Sequence, residues 1–342
     1  MQQDELIGTS LGGYRILSSI GQGGMARVYK AYQENLDREV AIKVLPPWYA
    51  ADRGFVERFN LEARLVARLS HPNIVTVHDA GEQSGHLYIV MQLVSGGTLK
   101  QRLDQWHRQG RVPETIEVIQ VFSQLADALS YAHDQGIIHR DIKPVNVLMD
   151  HSSRPILSDF GIAKVLASTQ EGLTRPGAGV GTPEYMSPEQ CRGGPVDGRA
   201  DIYALGVLLF EAMTGFTPFR GDNYPALAHS HIYEPAPHPS TINPTIHPGI
   251  ERVILIALMK HPQQRYQRAS DMAEALRQAL ARPSAPVEAI YPCLYCGRPN
   301  KPQMRFCTQC GTPMNLCAIC GTTNPASNRF CYKCGQALTR RY

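Results

Sequence analysis

Long apolar runs are missing from this chain. No stretch of its 342 residues approaches the ~20 apolar side chains that a membrane-spanning helix needs, and the best candidates are short pieces such as VILIALM at 253–259. The N-terminal MQQDELIGTS lacks the basic and apolar regions of a secretory signal. No membrane contact and a cytoplasmic location are therefore expected. A strong charge of one sign is lacking too: 34 basic against 30 acidic residues leave +4, with no overall bias toward nucleic acid. Cysteine is almost absent before residue 293, where Cys191 stands alone, while eight cysteines crowd into 293–334. The length suits roughly two or three domains and a substantial core.

What is present is decided by two strings, HRDIKPVN at 139–146 and DFG at 159–161. Phosphoryl transfer from ATP to a hydroxyl needs little covalent chemistry from a protein. It needs a carboxylate beside the attacking hydroxyl, oxygen ligands for Mg²⁺ (or Mn²⁺), and cations that offset phosphate charge. Asp141 suits the first task, Asn146 and Asp159 the second, and Lys143 adds positive charge near the transferred group. The Asp-x-x-x-x-Asn spacing followed by DFG matches the catalytic loop of protein kinases.

On these residues the segment from about Tyr14 to about Ala281 resembles the eukaryotic-like Ser/Thr protein kinases of bacteria. The resemblance implies an α+β, two-lobed kinase fold over 1–281, with a sheet-rich small lobe to about residue 92 and a mainly helical large lobe over 93–281. GQGGMARV at 21–28 resembles the glycine-rich loop over the ATP phosphates, so Gly21, Gln22, Gly23, Gly24 and Val28 are implied to touch the nucleotide. Ala26 stands where the family has its third glycine. VAIK at 40–43 follows at strand distance, which makes Ala41 part of the nucleotide pocket and Lys43 the phosphate-holding lysine. Helical spacing of Phe55, Phe59, Val66 and Leu69 places Glu62 on a helix, where it resembles the acid that pairs with Lys43; Glu57 is its nearest competitor. HLYIVMQLV at 86–94 reads as a strand into the hinge, with Met91 as gatekeeper, Gln92 to Val94 along the adenine and Leu148 implied on its other side.

The downstream half continues the pattern. Arg140 resembles an arginine that awaits a phosphate in the loop between Gly161 and Glu189, and guanidinium and phosphate pair in a charge-assisted way. Thr174 is the favoured acceptor there, Thr169 the second and Ser168 the third. Glu189, in GTPEYMSPEQ at 181–190, is implied to pair with Arg265. Asp201, at the head of DIYALGVLLFEAM, resembles the aspartate that props the catalytic loop, though its position also suits a helix cap. Lys143 two residues after Asp141, and Thr182, fit the Ser/Thr class rather than the tyrosine class.

After a proline-marked linker at 282–292 the cysteines fall as CLYC, CTQC, CAIC and CYKC. Both halves are C-x₂-C-x₁₀-C-x₂-C, offset by 24 positions, and each pair precedes a glycine: Gly297, Gly311, Gly321 and Gly335. This spacing resembles a double zinc ribbon over 293–342, with Cys293, Cys296, Cys307 and Cys310 on one structural Zn²⁺ and Cys317, Cys320, Cys331 and Cys334 on the other. Disulfides and a thioredoxin-like redox centre are the competing readings, and neither suits four pairs in a reduced compartment. From 283 to 342 there are seven basic residues and one acid, Glu288, formally +6, but eight thiolates on two Zn²⁺ reduce this to +2. That makes nucleic acid an unlikely partner and favours a protein partner.

Two functions follow. The first is an active kinase that uses ATP on protein substrates, phosphorylates its own loop and carries a regulatory zinc tail. The second is a catalytically silent kinase-fold scaffold, with the tail as adaptor. Joint presence of Lys43, Glu62, Asp141, Asn146 and Asp159 favours the first, since a scaffold needs none of them.

Overall fold

Strand-forming runs come first in the chain and helical ones follow, and the architecture keeps that order. The computed structural model describes residues 5–23, 26–160, 183–281 and, beyond these, 291–292, 299–300 and short stretches between 306 and 338. The chain divides into two compact units, residues 1–281 and 282–342.

The first unit opens with six antiparallel strands: β1 Ser10–Leu11, β2 Tyr14–Gly23, β3 Ala26–Gln33, β4 Arg38–Val44, β5 Val77–Gln83 and β6 His86–Gln92. Their spatial order is β1-β2-β3-β4-β6-β5. Side chains alternate across a strand, so Val40, Ile42 and Val44 pack with Tyr29, Ile16 and Val90 on one face. On the other face Ala41 and Leu45 pack with Phe55 and Phe59 of helix α1, Arg53–Val66. Helix α1 starts where the Asp52 side chain accepts from the Phe55 N–H, and it buries Phe55, Phe59, Ala63 and Val66, one stripe of an amphipathic helix.

The large lobe contains α2 Leu99–Arg108, α3 Thr115–Asp134, the hairpin β7 Val147–Met149 with β8 Pro155–Leu157, the short α4 Pro188–Cys191, α5 Gly198–Thr214, α6 Tyr224–Tyr233, α7 Pro248–Ala257 and α8 Ala269–Ala281. Helix α5 is buried over nearly its whole circumference, as a central core helix must be. A Cβ at Gly206 of α5 would lie 2.7 Å from the Ala257 Cβ of α7, so the glycine permits that close approach. Among the described residues no helix is long and apolar enough to cross a membrane.

The second unit repeats one motif. β9 Tyr291–Pro292 pairs with β10 Pro299–Asn300, and β11 Asn315–Leu316 pairs with β12 Thr323–Asn324, at the sequence offset of the cysteines. Cys307, Cys317, Cys331 and Leu338 are buried there.

Candidate active site and metal centre

The β2–β3 hairpin brings the glycine-rich segment over the cleft, with Gly21 opposite Val28, Gln22 opposite Arg27 and Gly23 opposite Ala26. Gly24 lies outside the described residues. In the neighbouring register Val28 faces Lys43, and Ala41 faces Met91. Val28, Ala41, Met91, Val94 and Leu148 belong to one apolar cluster, so five side chains far apart in sequence converge beside Lys43. The Gln92 N–H is held by the Thr76 carbonyl at 2.9 Å.

The catalytic-loop residues gather around Asp141. The Lys143 Nζ lies 2.9 Å from Asp141 Oδ2. The Asn146 Nδ2 donates to the Asp141 carbonyl at 2.8 Å and to its Oδ2 at 3.1 Å. That leaves the Asn146 Oδ1 as its acceptor atom, and this oxygen and the Asp159 carboxylate are the donors that would hold Mg²⁺, a cation that takes oxygen ligands. Asp159 has φ 59°, in the left-handed region that Asp tolerates better than most residues. From there its Oδ1 reaches Lys43 Nζ at 2.8 Å.

This geometry corrects one expectation: the Lys43–Glu62 ion pair is not formed in this structure, where Lys43 meets Asp159. Glu62 sits half-buried on α1, where burial pushes its carboxyl up to about 7 against the pull of the Arg140 guanidinium.

The loop is held from behind. Asp201 accepts from the His139 N–H at 2.8 Å and from the Arg140 N–H at 2.7 Å, which fixes Arg140 at φ 64°. Its propping role is as expected, but the cap of α5 is Asp197, whose side chain accepts from the Arg199 N–H; Asp201 lies inside the first turn. His139 is fully buried, and burial lowers its pKa. Its Nε2 faces the Ser158 carbonyl at 2.9 Å and its Nδ1 the Asp141 N–H at 3.3 Å, which requires the neutral tautomer with the proton on Nε2. Glu189 and the buried Arg265 form a bidentate pair at 2.7 and 2.9 Å.

Three contributors were not read from the sequence. Ser158 donates from its N–H and Oγ to the Asn146 carbonyl at 2.9 and 3.0 Å, binding the two motifs together. His133 lies 2.8 Å from Asp201, and the Gln190 side chain donates to the Arg140 carbonyl at 2.9 Å. Adjacency to DFG was a signal for Ser158; nothing in one sequence marks the other two. Ser168, Thr169 and Thr174, named as phosphoacceptors, lie outside the described residues.

In the tail the Sγ atoms of Cys317, Cys320 and Cys331 lie within 4.8 Å of one another, close enough for one tetrahedral thiolate site. All three come from the second repeat. Cys307 Sγ accepts from the Gln309 N–H at 3.5 Å, and Gly311, after the CTQC pair, has φ 71°. Cys293, Cys296 and Cys334 lie outside the described residues.

A two-lobed fold with a glycine hairpin, a strand lysine and this loop pair defines a class. The chain belongs to the protein kinase domain family, whose match covers residues 14–280, and a double zinc ribbon matches residues 293–335. The serine/threonine-protein kinase PrkC of Bacillus subtilis is 42% identical over 275 residues, covering 80% of this chain and 42% of that protein. For pkn3 of Myxococcus xanthus the identity is 43% over 274 residues, covering 77% and 49%. The chain thus spans less than half the length of these curated relatives. The crystal structure of the Mycobacterium tuberculosis PknI kinase domain matches with a TM-score of 0.65 at 31% identity, covering 80% of this chain and 98% of that one. Family membership implies ATP with Mg²⁺ or Mn²⁺, and the ribbon match with the cysteine cluster points to zinc.

Proposed function

We propose that this chain is a Ser/Thr protein kinase that moves the γ-phosphoryl of ATP to hydroxyls on protein substrates and on its own loop. The observation that carries the reading is the convergence of Lys43, Asp141, Lys143, Asn146 and Asp159 in one cleft beside an apolar pocket. Adenine would lie against Val28, Ala41, Met91, Val94 and Leu148, with the hinge at Gln92. Lys43 would hold the phosphates, and Asn146 with Asp159 would hold the divalent ion. Asp141 would orient the attacking hydroxyl and accept its proton, while Lys143 offsets the charge that develops on the transferred group. The described residues carry no membrane-spanning helix, and the reading includes a cytoplasmic site of action.

The test is phosphate transfer by the purified full chain with Mg²⁺ or Mn²⁺. Asp141→Asn and Lys43→Met should each lower transfer by about 10²–10⁴-fold. Wild-type transfer no higher than that of the two variants would refute catalysis. Autophosphorylation should map to Thr174, then Thr169 and Ser168, where a phosphate could pair with Arg140. Phosphopeptide mapping that finds all three unmodified in an active preparation would refute the site assignment alone.

For the tail the reading is two structural zinc sites, one per repeat, on a module that binds a protein partner. Three sulfurs of one repeat already converge, which supports sequential sites over an interleaved arrangement. With four thiolates around each ion no coordination position stays open, so the metal supplies folding energy rather than chemistry.

A further inference from the structure

Asn300 is only 4% exposed although it lies in a two-residue strand of a very small unit. A buried amide in so thin a core must satisfy both its ends. Its Oδ1 accepts from the Thr308 N–H at 2.9 Å and from the Thr308 Oγ1 at 3.1 Å. A backbone N–H can only donate, so this contact fixes which end of the amide is oxygen. The Nδ2 end therefore points the other way, and it lies 3.5 Å from Cys307 Sγ.

The same residue recurs one repeat later. Gly297-Arg-Pro-Asn300 before Arg305-Phe306-Cys307 matches Gly321-Thr-Thr-Asn324 before Arg329-Phe330-Cys331, residue type for residue type at the five numbered positions. Asn324 is buried to 1% exposure, and its Nδ2 donates to the Thr322 carbonyl at 2.7 Å and the Asn315 carbonyl at 3.4 Å. Asn324 thus holds the matching position of the second repeat and donates to backbone, and Asn300 brings a donor to a ligand sulfur.

We propose that Asn300 is a positioning residue of the first zinc site, holding Cys307 through an N–H···S hydrogen bond that offsets thiolate charge. The inference rests on the zinc reading of the tail. Four thiolates around Zn²⁺ carry a net −2, and donors aimed at sulfur offset that charge and fix the direction of the ligand. The Gln309 N–H supplies one such donor to Cys307, and the Asn300 amide supplies a second from a separate strand.

The test uses the zinc-loaded full chain and compares Asn300→Asp with Thr308→Ala. Asn300→Asp keeps an oxygen for Thr308 but removes the donor to sulfur; Thr308→Ala removes one contact at the oxygen end and leaves the donor. In chelator competition, Asn300→Asp should weaken one of two zinc sites by about 10–100-fold, with Thr308→Ala close to wild type. In the Co²⁺-substituted protein, Asn300→Asp should shift part of the sulfur-to-cobalt charge-transfer absorption to lower energy, since a thiolate without its donor is more electron-rich. The inference is overturned if Asn300→Asp holds zinc within about threefold of wild type, or if Thr308→Ala loses as much, which would make Asn300 a loop brace. A wild-type chain that binds no zinc would overturn the zinc reading and this inference together; two bound zinc ions with unaffected variants would overturn the inference alone.

Discussion

Glu62 carries the clearest titration signature near the cleft. A carboxyl whose folded pKa of about 7 lies above its ordinary 4.5 takes up a proton on folding between those values. Folding stability contributed by the protonated form is therefore present below the ordinary value and is lost as pH rises through that window. Glu62→Gln removes this dependence, so its melting temperature should exceed that of the wild type by a margin that grows from about pH 4.5 to about pH 7 and levels off above it. A margin that stays constant with pH would refute the assignment. If Glu62 pairs with Lys43 during turnover, the same variant should also transfer phosphate more slowly, a more stable and less active protein. Unchanged transfer would mean that Asp159 alone serves Lys43.

Between elements, the contact of α5 with α7 depends on the absence of one side chain. Gly206→Ala would place a Cβ 2.7 Å from the Ala257 Cβ, below any ordinary carbon–carbon contact, and neither helix backbone yields easily. The gain in helix propensity is about 1 kcal/mol, and overpacking at a buried crossing costs about 1–3 kcal/mol. A net loss in urea-midpoint stability is expected, recovered in part by adding Ala257→Gly. Because α5 also carries Asp201, the single variant should loosen the catalytic loop, visible as faster amide exchange at His139 and Arg140. Additivity of the two substitutions would show that the helices do not meet there in solution.

For the whole molecule, the two compact units meet different physical demands. Residues 1–281 bury large apolar clusters, whereas among the described residues of the tail the buried ones are Cys307, Cys317, Cys331, Leu338, Asn300 and Asn324. A unit so small needs metal to fold, with a binding energy of about 10–16 kcal/mol per site. Chelation should therefore unfold the tail and leave most of the kinase activity, and a chain cut after Ala281 should retain transfer. Elemental analysis should give two zinc ions per chain. One or none would refute the paired sites, and loss of transfer on truncation would make the tail part of the catalytic unit.

The chemistry-bearing residues were legible in one dimension because they sit in short, ordered strings: VAIK, HRDIKPVN, DFG and the C-x₂-C pairs. Local strings also located α1 and α5, since apolar spacing follows from helix geometry. Partner choice was a different matter. Lys43 had two acids available, Glu62 and Asp159, and the left-handed backbone at Asp159 brings that carboxylate to it in this conformation. Asp201 read as either cap or prop, and the start of α5 at Gly198 leaves the cap to Asp197 and turns Asp201 inward. His133 and Gln190 gave no sign at all, because a hydrogen bond between distant segments leaves no periodic trace in the chain, while the recurrence of Asn300 as Asn324 marked a position without showing what it touches. Residue type and spacing determined which groups this protein brings to its chemistry; the packing of helices and strands decided which of them touch, since contact depends on distances that only the folded backbone sets.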